Sequence, residues 1–273
     1  MAQSQPSPLS SSIIAQLEKY SACDISDALL KLKVPGAGYV ADLVAYSPQQ
    51  ASQATQSRVT VAPVFTVLFA PKGQPAGLSE GGGSLPPQNI PKDVHWADLA
   101  EPGTFAVLKQ PPGQTNAVCG GIMALRMKVR QVTGIIVAGR VRDLGELRST
   151  NLPIWGYGTS TVGSGGSSMP WATQVTVQVN GVDINPGDVA FSDPGNGVVI
   201  IPRDKIDQVL ELLPGLVAAD DKVKEDVLKG MSVYEAFKLH RIFRSFTPPP
   251  SSTLTCAHRV LEELGYEKIL YIS

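Results

Sequence analysis

The stretch Cys119–Asp143, CGGIMALRMKVRQVTGIIVAGRVRD, decides the fold, because it joins a small-residue turn, a helix, a buried strand and an Arg-Asp pair in one unit. Gly120 and Gly121 leave backbone amides open to a ligand, and the residues from Ile122 to about Gln131 have helical composition. Ile135, Ile136 and Val137 read as a buried strand ending at Gly139, with Arg142 and Asp143 just past its carboxyl end. Open α/β sheets bind ligands at such strand ends. An arginine clamps a carboxylate through two parallel hydrogen bonds, and a neighbouring aspartate holds a divalent cation through oxygen. The pair therefore suits an anionic oxo acid, although an adjacent Arg-Asp dipeptide is also an ordinary pair of solvated surface charges.

Upstream of this unit, Phe105, Val107 and Leu108 supply a strand, preceded by the Gly- and Pro-rich residues 72–92. That segment sustains neither a helix nor a central strand and reads as an exposed loop, a flexible insertion in preference to a lid. Apolar runs at Val40–Ala45 and Val59–Leu68 read as strands. Ile13, Ile14 and Leu17 mark a first helix. A second carries Ile25, Leu29 and Leu32, with Asp24 or Ser26 as its cap. Asp24 and Asp27 are thus capping and surface groups. Residues 1–11, rich in Ser, Pro and Gln, are expected to be disordered.

Downstream, Pro153–Pro170 is rich in glycine but matches no phosphate-binding pattern, so it reads as the rim of a site. Val175, Val177 and Val179 alternate as a half-buried strand. Asn180-Gly181 signals a hairpin into Val182 and Ile184, and Val198–Ile201 is the last strong strand. Asp193 precedes a turn whose backbone it is expected to bond. Ile206, Val209, Leu210 and Leu213 form one helical face that Pro214 interrupts, and a second helix carries Val223 and Val227. Ser232 and Glu235 form a capping-box pattern for a third helix ending near His240, and Leu254–Leu264 reads as a terminal helix. Alternating helices and strands make the whole an α/β domain.

The 273 residues are enough for one large domain with a substantial core. A net charge of −1 leaves no basic field for nucleic acid. No apolar run approaches the roughly 18 residues that cross a membrane, and the N-terminal residues lack the pattern of a signal peptide. A cytoplasmic protein is expected. Cys23, Cys119 and Cys256 have neither disulfide nor zinc spacing, and Cys119 reads as a small buried thiol. His95, His240 and His258 lack metal-ligand spacing and are assigned no chemistry.

Several of these motifs, in order, resemble the RraA-like family: Gly120–Met127, the strand end Val137–Asp143, Leu152–Ser160, Pro186-Gly187-Asp188 and Gly197–Pro202. The resemblance runs from about Ile13 to His240. It implies a swivelling β/β/α fold, phosphohistidine-domain-like, with C-terminal helices. It places the family domain at 12–245 and leaves 246–273 as an extension. The family includes 4-hydroxy-4-methyl-2-oxoglutarate aldolases and oxaloacetate decarboxylases, so the resemblance implies a carbon–carbon lyase of a small 2-oxo acid. It further implies a magnesium or manganese ion on Asp143, with substrate held by Arg142, Gly120, Gly121, Ile122 and Met123. A homotrimer is implied, with Glu225 completing the site from the adjacent subunit. Gly121 and Ala138 stand where the aldolases usually carry aspartates, which weakens the implied cation site and removes an acidic group that orients water. Two alternatives remain open. One is a diverged lyase whose bulkier substrate meets Trp155, Tyr157 and Trp171; the other is a non-catalytic protein like the relatives that inhibit ribonuclease E by contact.

Overall fold

A computed structural model describes residues 9–47, 59–73 and 85–242. The chain divides into two compact units at Val217/Ala218. The expected helix at 254–264, Cys256, His258 and the middle of the 72–92 loop lie outside the described residues.

The first unit opens with helices α1 (Ser11–Leu17) and α2 (Ala22–Lys31). Ser10 caps α1. Ser21 caps α2 in a reciprocal arrangement, its hydroxyl accepting from Asp24 N while the Asp24 carboxylate accepts from Ser21 N. Asp24 therefore does act in capping, but as the partner of Ser21 and not as the cap itself. Strands β1 (Val44–Ser47), β2 (Thr60–Pro71), β3 (Phe105–Lys109) and β4 (Ala117–Cys119) follow, then α3 (Gly121–Val129), β5 (Gly134–Val141), α4 (Leu144–Ser149), β6 (Ile154–Thr159) and β7 (Ser168–Thr173). A hairpin of β8 (Val177–Val179) and β9 (Val182–Ile184) turns at Asn180-Gly181, both with positive φ as that turn requires. Strands β10 (Val189–Asp193) and β11 (Gly197–Ile201) complete the main sheet.

That sheet runs β1-β6-β5-β3-β2-β10-β11, with β4 added on β5 and β7 on β2. Its middle, β2, β3, β5 and β6, is parallel, while β10 pairs antiparallel with β2 and β11 antiparallel with β10. The parallel strands are buried on both faces, which is why β5 reads as an unbroken apolar run. On one face Ile135, Val137 and Val141 pack with Ala124 and Met127 of α3 and Leu147 of α4. On the other, Ile136 and Ala138 pack with Val64, Phe105, Val107 and Trp155 and with the β8–β9 hairpin. A third cluster sets Leu17, Ile25 and Leu29 against Phe191, Val199 and Ile201. Each fully buried Leu or Phe there contributes roughly 1.5–3 kcal/mol.

Helix α5 (Ile206–Leu228) is one continuous helix with Pro214 inside it, where the sequence suggested a break and two helices. Proline removes one backbone bond, but Val209 and Leu213 bury fully in the third cluster on the turn before it, and that packing keeps the helix going. In the second unit, α6 (Val233–Phe237) starts at Ser232, which accepts from Glu235 N as the capping pattern foretold. Asp226 accepts from Lys229 and pairs with His240 Nε2 at 2.7 Å, and Arg241 pairs with Asp220 and stacks over Phe237. Among the described residues no helix is long and apolar enough to cross a membrane.

Candidate active site

The first peptide past β5 places Arg142 and Asp143 at the carboxyl end of the parallel strands. Asp143 adopts a left-handed backbone, φ 58° and ψ 49°, which aspartate tolerates better than most residues. This turn swings its carboxylate back toward α3. Oδ2 accepts from Gly121 N at 3.2 Å and lies 3.4 Å from Arg142 Nε. The expected opening of both glycine amides thus holds only in part: that of Gly121 is already engaged. Gly120 makes no side-chain cap for α3, so the next amides, of Ile122 and Met123, lack the intrahelical partners that a helix start cannot supply.

These groups line one cleft of about 120 Å³, bounded by His95, Trp96, Ala117–Gly120, Ile122, Met123, Arg142, Asp143 and Ser164. Arg142 and Asp143 are each about two-fifths exposed, so the anion-binding and oxygen-ligand groups face solvent without being buried charges. Cys119 is in the wall, 1% exposed; burial, with the Asp143 charge beside it, pushes its thiol up to about 12, so it remains a neutral thiol and not a nucleophile. The rim assigned to the glycine-rich segment is real at Gly163-Ser164. A Cβ built on Gly163 would stand 3.0 Å from Arg142 Nη1, and Ser164 lines the cleft.

Two residues beyond the expected set stand at or next to the cleft, Glu146 and His95, the latter read from the sequence as without chemistry. A Cβ built on Gly121 would run into the carboxylate of Glu146, so the space that a side chain at 121 would fill is occupied by an acid from the first turn of α4. Glu146 thus lies against Gly121, outside the residues that line the cleft. Only the fold brings His95 into the wall of the same cleft.

Ala138 is buried in the apolar cluster with Ile136 and Trp155 and offers the cleft no ligand. Trp155 donates to Ser192 Oγ, Trp171 donates to the Pro86 carbonyl, and Tyr157 packs against the second core cluster. None of the three lines the cleft, so these aromatics pack the fold. Glu225 is an exposed residue of α5 in the second unit. Among the described residues no group of three or more His, Cys, Asp or Glu side chains is arranged to hold a metal ion.

The family model RraA-like, described as Aldolase/RraA, matches residues 22–200. Protein DlpA of Legionella pneumophila is 24% identical over 225 residues, 82% of this chain but 33% of its own length, so the chain spans about a third of that relative. A Halalkalibacterium halodurans protein named "Putative 4-hydroxy-4-methyl-2-oxoglutarate aldolase" is 29% identical over 126 residues, 46% of this chain and 59% of its own. Among solved structures, an uncharacterized protein from Pseudomonas syringae superposes with a TM-score of 0.64 at 19% identity, covering 85% of this chain and 99% of that one. RraAS2 of Streptomyces coelicolor, described as an unusual member of the RNase ES inhibitor RraA protein family, gives 0.58 at 22% identity, covering 84% and 100%. These two likenesses establish the fold.

Proposed function

Since the chain belongs to the RraA-like family, we propose that its cleft is the active site of a carbon–carbon lyase acting on a small 2-oxo acid, by decarboxylation or aldol cleavage. The observation that carries this reading is the meeting of Arg142, Asp143 and the uncapped start of α3 in one cleft. Breaking the C3–C4 bond, between the carbons α and β to the ketone, leaves its electron pair on the oxo-acid fragment as an enolate, which then takes a proton from water. Arg142 grips the carboxylate of that fragment through its guanidinium fork. The amides of Ile122 and Met123 point donors at the developing negative charge, in a site already organised before the reaction.

Asp143 and Glu146 suit a hard cation such as magnesium or manganese. Magnesium takes one or two protein carboxylates and keeps several waters, and here one carboxylate borders the cleft while the second covers Gly121. When bound, that ion supplies Lewis-acid polarisation of the keto oxygen. The likeness to a protein named as an aldolase supports the reaction class.

A homotrimer that shares its sites is part of the proposal. Helix α3 exposes Ile122, Leu125 and Val129, 73%, 57% and 62% accessible, as a stripe along one face. An apolar stripe beside the cleft fits contact with another copy of the chain. Glu225 of that copy completes the site. The same stripe also serves a second reading, a regulator that works by contact and without chemistry, which the naming of the Streptomyces relative's family as RNase ES inhibitors favours.

The test is Arg142→Ala assayed on oxaloacetate. Loss of about a hundredfold to a thousandfold is expected, with unchanged thermal stability and no rescue by Arg142→Lys, since a point charge lacks the fork. Full activity in the alanine variant removes the cleft from the chemistry.

A further inference from the structure

The wall of the cleft holds a histidine that the lyase reaction, as derived from Arg142 and α3, leaves unused. His95 lies in its wall, from the segment preceding β3 and far in sequence from Arg142. Its Nδ1 accepts the backbone amide of Ala97 at 3.2 Å. A backbone N–H can only donate, so the neutral ring carries its hydrogen on Nε2, on the opposite edge. The ring is steadied on its other side by Trp96, with centroids 5.4 Å apart, and Trp96 is itself 3% exposed. His95 thus presents a donor of defined tautomer.

We infer that His95 is a specificity residue that receives the second carboxylate of a 2-oxo dicarboxylic acid through Nε2–H. This inference rests on the lyase reading for the identity of the acid's first carboxylate, held by Arg142. Ser164 also offers a donor in the cleft wall, but it follows Gly163, which abuts the Arg142 guanidinium, and so belongs to the first carboxylate's end. His95 comes from a different segment of the wall, the one that precedes β3. A neutral donor also suits a carboxylate that must leave. In decarboxylation the C3–C4 bond breaks, its electron pair forms the enolate C2=C3 bond, and the departing group loses its charge as carbon dioxide. A cationic partner would hold the charged ground state more tightly than the transition state and slow that loss. A neutral N–H orients the group with less of that penalty.

Two variants separate the two ends of the ring. His95→Asn keeps an acceptor for the Ala97 amide and loses the distal donor; His95→Gln keeps a donor near the Nε2 position and loses the cap. Calorimetric binding of malate and lactate to the full chain reads out the second carboxylate without needing turnover. The wild type is expected to prefer malate, and His95→Asn to lose about tenfold of that preference while lactate binding is unchanged. His95→Gln should retain most of it. Arg142→Ala should weaken both ligands. A wild type with no preference for malate, an unaltered preference in His95→Asn, or equal losses of both ligands in that variant overturns the inference. A clear malate preference that depends on His95, in a protein that does not turn over oxaloacetate, leaves the inference standing and removes the lyase reading.

Discussion

The parallel and antiparallel parts of the sheet are equally well buried, yet only one of them builds the cleft. Strand β4, the turn that follows β5 and the start of α3 supply most of its lining, whereas β10 and β11 supply none of it. Parallel strands all end on the same side, and the helix following each of them starts there, so unpaired amides and side chains converge. Antiparallel neighbours alternate direction and divide their connections between both ends. The antiparallel half instead buries polar groups for stability: Asp193, at the end of β10, accepts from Ala22 N, Gly195 N and Asn196 Nδ2 and so ties α2 to the sheet. Chemistry and anchoring are therefore assigned to different halves.

The sharpest way to break that division is to disturb the parallel half. Asp143→Asn, or exhaustive chelation by EDTA, is expected to lower turnover on oxaloacetate by about a hundredfold, with magnesium or manganese restoring the chelated wild type but not the variant. Full turnover by a protein shown metal-free by elemental analysis separates Asp143 from any cation. The antiparallel half should respond in stability and not in turnover. Burial alone would raise the Asp193 carboxyl, but its hydrogen bonds outweigh this and hold it below the ordinary carboxylate range. A lowered folded value means that the stabilisation is complete above the unfolded carboxylate value and is lost as pH falls through the folded one. Asp193→Asn is expected to cost about 2 kcal/mol at pH 7, read by urea unfolding, with a gap from wild type that narrows in acid. Asp188, which burial pushes upward, titrates with the opposite sign, so the difference between the two proteins is the quantity to follow. A constant gap from pH 7 to pH 3 would contradict this account of Asp193.

A smaller effect is expected from Ile200→Val in β11, a fully packed position, at about 1 kcal/mol with kcat per folded molecule unchanged. Any change in kcat would show that the two halves are coupled. The smallest effect concerns Cys119. Iodoacetamide should modify exposed Cys23 in the native protein and leave Cys119 unlabelled by peptide mass mapping, because its thiol is buried and neutral. Rapid native labelling of Cys119 would show that the wall of the cleft opens.

Much of the parallel half was legible because it is written contiguously. The apolar run of β5, the glycines before α3 and the Arg142-Asp143 end occupy a single stretch, and periodicity reads such local order well. What escaped was set by close approach in three dimensions. Pro214 looked like a helix end because the sequence does not show how firmly Val209 and Leu213 are buried before it. Glu146 was not expected against Gly121 because the path of its side chain depends on the left-handed turn at Asp143, which no local pattern announces. His95 looked inert because its neighbours in the cleft come from β4, α3 and the end of β5.

The contact between Gly121 and Glu146 also bears on the order in which this site can change. An acidic side chain cannot be installed at 121 while Glu146 keeps its position, since the two would compete for one volume and bring like charges together. Shortening Glu146 first opens that volume; extending Gly121 first fills it twice. The two positions therefore compete for one volume, and an acid at 121 requires that Glu146 be shortened or turned away.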